Sequence, residues 1–263
     1  MVQKFRALFI SDVHLGTPWT QADRLLEWLA HVDAETIYLV GDIIDFWRIR
    51  RGGVWPSSHS AVLEALLRKS HAGTRIVFIP GNHEDGLKRY CGTRFGTIEI
   101  ERSIVHATAT GKRYLVVHGD DYDFVARYAR WLAQIGDRSY AAALAFNRVF
   151  NKFRLALGRD YWSISAFLKR SVKAGVGRVG KFESALAAEA IRNDATGVIC
   201  GHIHHAESRM LGQVHYVNIG DWVESCTAVV ETAVGELQVL DLWDVQHVPG
   251  VVERRVKATE APA

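Results

Sequence analysis

The chain has 263 residues, 48% of them hydrophobic and 23% charged, and a formal net charge of +3. Those values describe an ordinary globular protein rather than a disordered one, and allow one large domain or a core carrying an insertion; only the last few residues read as disordered. The opening Met-Val-Gln-Lys-Phe-Arg has no secretory signature, and no uncharged apolar run approaches the roughly 20 residues that cross a bilayer. The expectation is therefore a cytoplasmic protein, with room for peripheral contact with the inner membrane. Three scattered cysteines, Cys91, Cys200 and Cys226, read as free thiols rather than a disulfide framework.

In chain order, the first apolar run is Ala7-Leu8-Phe9-Ile10, ending in Ser11-Asp12. A helical pattern follows from Gln21 to Asp33. The second run, Thr36 to Val40, ends in Gly41-Asp42, and a second helical pattern covers Ser58 to His71. Arg75 to Ile79 leads into Pro80-Gly81-Asn82, Tyr114 to Val117 into His118-Gly119, and Gly197 to Cys200 into Gly201-His202. None of these runs alternates with polar residues, so each is expected to be buried on both faces of a covered sheet. Strands alternating with helices signal an α/β layered fold, in which ligands gather beyond the carboxyl ends of the strands. Here every such end carries Asp, Asn or His.

The segment 121–192 differs in texture. It suggests amphipathic helices and holds thirteen Lys or Arg against six Asp or Glu, a net +7 that leaves the remainder of the chain at −4. One reading is a solvated helical face; the other is a lid for an anionic substrate or a membrane surface. Three further strands, Gln213–Gly220, Cys226–Glu231 and Glu236–Trp243, are expected to return as a second sheet, with a hairpin turn at Gly235.

The strand ends offer Asp12, His14, Asp42, Asn82, His118, His202 and His204. Mixed oxygen and imidazole donors suit Mn, Fe, Zn or Co better than Ca or Mg. Seven donors exceed the needs of one ion and suit two, which in phosphoryl transfer clamp the attacking and leaving oxygens. In an extended Asp-x-His the side chains at i and i+2 share a face, so Asp12 with His14, and His202 with His204, are expected to converge that way. Asp45, Glu84 and Asp120 stand where they can orient these ligands, Asp120 equally as a helix cap. Histidines 31, 59, 71, 106, 215 and 247 fall outside the blocks and read as surface or satisfied core residues, while His205 can face the site or solvent.

The blocks DVH (12–14), GDIID (41–45), GNHE (81–84), HGD (118–120) and GHIH (201–204), in that order, resemble the calcineurin-like metallophosphoesterase superfamily. The resemblance implies a single domain over 1–263, an α/β/β/α sandwich of two mixed sheets with a helical lid at 121–192. It implies one ion on Asp12, His14, Asp42 and His204, and a second on Asp42, Asn82, His118 and His202, manganese first, with iron, zinc or cobalt as alternatives. His83 would be the catalytic histidine acting on the leaving oxygen, Asn82 would also touch substrate, and a metal-bound hydroxide would attack phosphorus. Within the superfamily the chain is similar to the UDP-2,3-diacylglucosamine hydrolases of lipid A synthesis, through Gly41–Trp47 and the basic insertion after HGD. Its departures are His83, where that family carries Arg, and the block Gly220–Cys226. A lipid-linked nucleotide is thus the expected substrate, with a nuclease or cyclic-nucleotide phosphodiesterase as the alternative and a non-catalytic scaffold as a third reading. Nucleic acid is disfavoured because the basic residues are interleaved with large apolar ones, and no oligomeric state is implied.

Overall fold

The computed structural model describes residues 2–123, 176–243 and 254–255. The chain divides into two compact units, Met1–Asp120 with Leu186–Ala263, and Asp121–Ala185. Most of the expected lid, 124–175, lies outside the described residues. What is described of the second unit is the end of a short 3-10 turn (Asp120–Tyr122) and the start of a helix, Val176–Arg192.

The first unit begins with β1 (Gln3–Ile10), α1 (Ala22–His31), β2 (Val32–Val40), α2 (Phe46–Ile49), α3 (Ser57–His71) and β3 (Arg75–Ile79). After a 3-10 helix at Asp85–Tyr90 come β4 (Thr93–Phe95), β5 (Ile98–Ile100), β6 (Ile104–Ala107) and β7 (Arg113–Val116). Helix α4 (Val176–Arg192) then leads to β8 (Gly197–Cys200), β9 (Glu207–Leu211), β10 (Val214–Asn218), β11 (Thr227–Glu231), β12 (Leu237–Asp241) and β13 (Arg254–Arg255). The result is an α/β fold of two mixed sheets. One has the order β13-β12-β11-β1-β2-β3-β5-β4, the other β6-β7-β8-β10-β9.

Helix α1 forms because its apolar residues fall on one stripe: Ala22, Leu25, Trp28 and Leu29 are buried, and Asp23 and His31 suit the dipole at its two ends. It stops where β2 starts, at Val32. Helix α3 starts after Pro56, whose fixed φ suits the position, and buries Val62, Ala65 and Leu66. In the parallel centre of the large sheet, Leu8 pairs with Ile37, Ile37 with Ile76 and Ile76 with Ile98. That row packs with Leu25, Leu29, Val62 and Leu66 in the core under the helices. The residues one step along, Phe9, Tyr38 and Val77, face the other way and pack with Val116, Ile199 and Val217 of the second sheet. Phe9 and Tyr38 stack with ring centroids 4.8 Å apart. Each strand is thus apolar on both sides, as the absence of alternation predicts, and each fully buried Leu or Ile is worth about 1.5–3 kcal/mol.

The short strands β4, β5, β6 and β9 are not among the sequence expectations. They are three to five residues long and mostly half-exposed, so they carry little apolar signal. Strands β10, β11 and β12 fall within the three expected runs, trimmed at their ends, but they do not return together as a second sheet: β11 and β12 extend the large sheet from β1, and only β10 joins β7 and β8 in the other.

Candidate metal centre

The ends of β1, β2 and β3 in one sheet and of β7 and β8 in the other meet at a set of polar residues, mostly buried, with His202 half-buried and His204 exposed. Backbone bonds register the loops: Asp12 N donates to Gly41 O at 3.0 Å, His14 N to Asp42 O at 2.9 Å, and Gly201 N to His118 O at 3.1 Å. Bonds between the sheets join them. His202 N donates to Asp12 Oδ2 at 2.9 Å, and His118 Nδ1 to Val40 O at 2.9 Å.

The local conformation differs from the extended Asp-x-His expected from spacing. Asp12, His14, Asp42, His202 and His204 all have left-handed backbone, with φ of 51, 54, 53, 73 and 53°. The side chains converge because the chain curls at each strand end. Residues i and i+2 sharing the face of a strand is not the cause. Asp tolerates this region better than most residues, and five such positions in one place mark a site whose surroundings hold it in shape. Two glycines allow the close approach. A Cβ on Gly41, itself at φ +75°, would meet the His118 ring, and one on Gly201 would meet Asp12 Oδ2.

Six of the seven expected residues have their donor atoms grouped, and the seventh, Asn82, is buried beside Gly81. Donor atoms of Asp12, His14 and His204 lie within 4.8 Å of one another, as do those of Asp42, His118 and His202, and those of His14, Asp45 and His83. Asp42 Oδ2 stands between them, 3.4 Å from His118 Nε2, 3.8 Å from His83 Nε2 and 4.0 Å from His14 Nε2. Its other oxygen accepts from His83 N at 2.8 Å. The fit to cations rests on the lone pairs. His118 donates Nδ1–H to a carbonyl, so the neutral ring carries a lone pair on Nε2, which makes no hydrogen bond among the described residues. Asn82 Oδ1 is buried and likewise unbonded there. His14 Nε2 and His204 Nε2 face each other at 3.3 Å, and Asp12 Oδ1 lies 3.2 Å from His204 Nε2. Buried oxygens and imidazole nitrogens pointing at one another are a donor set for divalent ions.

The electrostatics agree. Burial raises Asp42, but the close His118 ring, with the charges of His83 and His14, holds it well below the carboxylate range. Burial likewise opposes ionisation of Asp12, and the bond from His204 and the charge of His118 outweigh it. Burial lowers His118, yet Asp42 and Asp12 push it up to about 10. Carboxylates that favour imidazolium this strongly would favour a divalent cation for the same reason, and a bound cation would keep the rings neutral.

The supporting residues differ in role. Asp45 lies 2.9 Å from His83 Nδ1 through Oδ1 and 3.5 Å from His14 Nδ1 through Oδ2, while accepting from Arg48 N to cap α2. Glu84 touches no imidazole. Its carboxylate accepts from Asp42 N at 2.8 Å, Ile44 N at 2.7 Å and Gly81 N at 3.0 Å, tying two ligand loops together, although burial and the Asp42 charge push it up to about 8. Asp120 pairs with Lys88 Nζ at 2.6 Å. His205 is exposed. His59, His106 and His215 are core or bonded residues, held by Gly16 N, Tyr38 and Tyr114 respectively.

Two contributors escape the motif pattern. The Trp47 ring lies over His83 at 4.3 Å between centroids; the sequence marked it only as the end of the Gly41–Trp47 stretch, without a role in the site. Asn218, fully buried, donates to Gly201 O at 2.9 Å and accepts from Gly220 N at 3.0 Å, supporting the His202–His204 loop; a lone Asn in a strand carries no sequence signal.

A family model described as calcineurin-like phosphoesterase matches residues 5–206. A UDP-2,3-diacylglucosamine hydrolase of Porphyromonas gingivalis is 32% identical over 120 residues, 43% of this chain and 45% of its own length. One of the same name from Ralstonia nicotianae is 32% identical over 133 residues, 47% and 48% of the two chains. The chain thus spans about half the length of the curated relatives it matches. Among solved structures, the Escherichia coli phosphoesterase YfcE aligns over 90% of this chain and 93% of its own at 14% identity, with a TM-score of 0.46.

Proposed function

The chain belongs to the calcineurin-like phosphoesterase family, and from that premise we propose that it is a two-metal hydrolase of phosphodiester or pyrophosphate bonds. The observation that carries the reading is Asp42 Oδ2, within 4.0 Å of imidazole nitrogens from three other segments. Asp12, His14, Asp42 and His204 would hold one ion and Asp42, Asn82, His118 and His202 the other, with Asp42 shared. Such ions supply Lewis acidity and lower the pKa of bound water. The protein's own part is to aim and to move a proton. His83, with Asp45 at its Nδ1 and Trp47 over its face, keeps Nε2 directed toward Asp42 and can protonate the leaving oxygen there. Burial lowers its pKa, and the close contact with Asp45, with the charges of Asp42 and Asp45, more than restores it, so the ring holds its proton more tightly than a free imidazole does. Glu84 and Asn218 hold the loops so that the donors need no rearrangement.

For the substrate we propose a lipid-linked nucleotide pyrophosphate of the UDP-2,3-diacylglucosamine class. The names of the relatives support this, as does the +7 segment 121–192 with its interleaved aromatic and aliphatic residues. Manganese is the first candidate ion, and the setting is the cytoplasm or the inner face of the membrane. Among the described residues, no helix is long and apolar enough to cross a membrane. The test is metal analysis alongside a substrate panel. The protein should carry two ions per chain and release UMP from UDP-2,3-diacylglucosamine far faster than it cleaves DNA or cyclic AMP. Asp42→Ala and His118→Ala should each lose metal and activity together. Full activity in either variant would refute the site, and faster cleavage of nucleic acid would refute the substrate.

A further inference from the structure

Beside the metal centre, the described surface carries a run of exposed indoles. Trp19 is 59% exposed, Trp47 38% and Trp55 41%, although tryptophan is among the residues that gain most from burial. They come from three separate stretches that form one surface. Asp45 N donates to Leu15 O at 2.8 Å, Gly16 N to His59 Nδ1 at 3.0 Å and Gly53 N to Arg48 O at 2.9 Å, locking the loop after β1 against α2 and the turn that follows it. The Arg48 guanidinium lies 5.4 Å from the Trp19 ring centre, and the Trp55 ring sits 5.4 Å from that of His59. Between and beside the indoles stand Arg48, Arg50 and Arg51, all exposed. From Phe46 to Ser60 the chain has these three arginines and no carboxylate, and none of the three forms an ion pair with a described residue.

We propose that this face docks on an anionic lipid bilayer. The charge pattern commits to that occupant. Indoles settle at the boundary between headgroups and acyl chains because one edge of the ring is polar and the body is not. Exposed arginines add attraction to lipid phosphates, worth roughly a fivefold change in partitioning each. Trp47 also lies over His83, so the same contact brings the candidate metal centre beside the bilayer surface. The inference concerns a different surface from segment 121–192 and holds whether or not the proposed substrate is correct.

The test is co-sedimentation of the full chain with vesicles of phosphatidylcholine and phosphatidylglycerol, compared with vesicles of phosphatidylcholine alone. The parent protein should sediment with the anionic vesicles, and binding should fall with salt. Trp19→Ala with Trp55→Ala should reduce partitioning at least tenfold, and Arg50→Ala with Arg51→Ala by about twenty-five-fold. Both variants should melt at the parental temperature and cleave a small soluble diester at the parental rate. If the parent fails to bind anionic vesicles, or both variants bind as the parent does, the proposal is overturned. Loss of binding to a protein or an oligonucleotide with vesicle binding unchanged would overturn it equally. Failure to hydrolyse UDP-2,3-diacylglucosamine would leave the vesicle result standing and refute only the substrate reading.

Discussion

Five of the seven candidate ligands sit at φ between 51 and 73°, a region that costs a non-glycine residue about 1–2 kcal/mol. Asparagine enters that region as readily as aspartate, which separates the charge of Asp42 from its backbone. Asp42→Asn is therefore expected to melt within about 5 °C of the parent. It should still lose bound metal and at least about a thousandfold in rate, because the oxygen central to three imidazoles becomes a neutral amide. Asp42→Val cannot adopt φ +53° without strain and should unfold well below both in a thermal melt. A valine variant as stable as the asparagine one would contradict the strain argument. At this scale the candidate donors could be picked out of the sequence, since four of the five blocks pair an ionisable residue with a glycine. The curl that aims them was not. Spacing i, i+2 suggests an extended strand, and only tertiary bonds such as His14 N to Asp42 O impose the other conformation.

Elements follow their apolar content. Strands β1, β2, β3, β7 and β8 are legible because both faces are buried, whereas β4 and β5 are held largely by polar groups. Glu99 on β5 binds Arg75 Nη2 at 2.6 Å and Nε at 3.1 Å, and also pairs with Arg94 on β4. The bonds from Arg75, and then those from Arg94, outweigh burial and lower the Glu99 pKa to about 2. The folded value lies below the ordinary 4.5, so this stabilisation is present above pH 4.5 and is lost as pH falls toward 2. Because both arginines are well exposed, it should amount to about 1 kcal/mol or less. Glu99→Gln should therefore lower the urea midpoint slightly at pH 7 and make no difference near pH 2. An equal difference at both pH values would show that packing rather than charge holds the hairpin.

Across the described residues, the two sheets are joined by an apolar layer, by the bonds at the candidate metal centre and by a separate buried polar cluster. Glu231 of β11 has its side chain fully buried. It accepts from Arg6 at 2.9 Å and from Ala109 N at 2.7 Å, and it contacts His106 Nε2 of β6 at 2.8 Å. His106 in turn bonds Tyr38 of β2 at 3.1 Å. Glu231→Ala should cost about 3 kcal/mol in urea unfolding, since it leaves the buried His106, with Arg6 and the Ala109 N–H, without their acceptor. With sheet separation as the first consequence, metal affinity should fall although no candidate ligand has changed; unchanged affinity would show that the centre does not depend on sheet docking. Nothing in the sequence links residues 6, 106 and 231, because such a triple carries no motif and depends on two sheets packing. The Asp12 to His202 bond has the same dependence and spans 190 positions of chain. During synthesis, a chain whose first three strands have already emerged from the ribosome displays Asp12, His14, Asp42 and Asn82 while His202 and His204 have not yet been translated. The newborn protein therefore passes through a stage with half a cation site, and tight metal capture becomes a late signal that synthesis has passed β8.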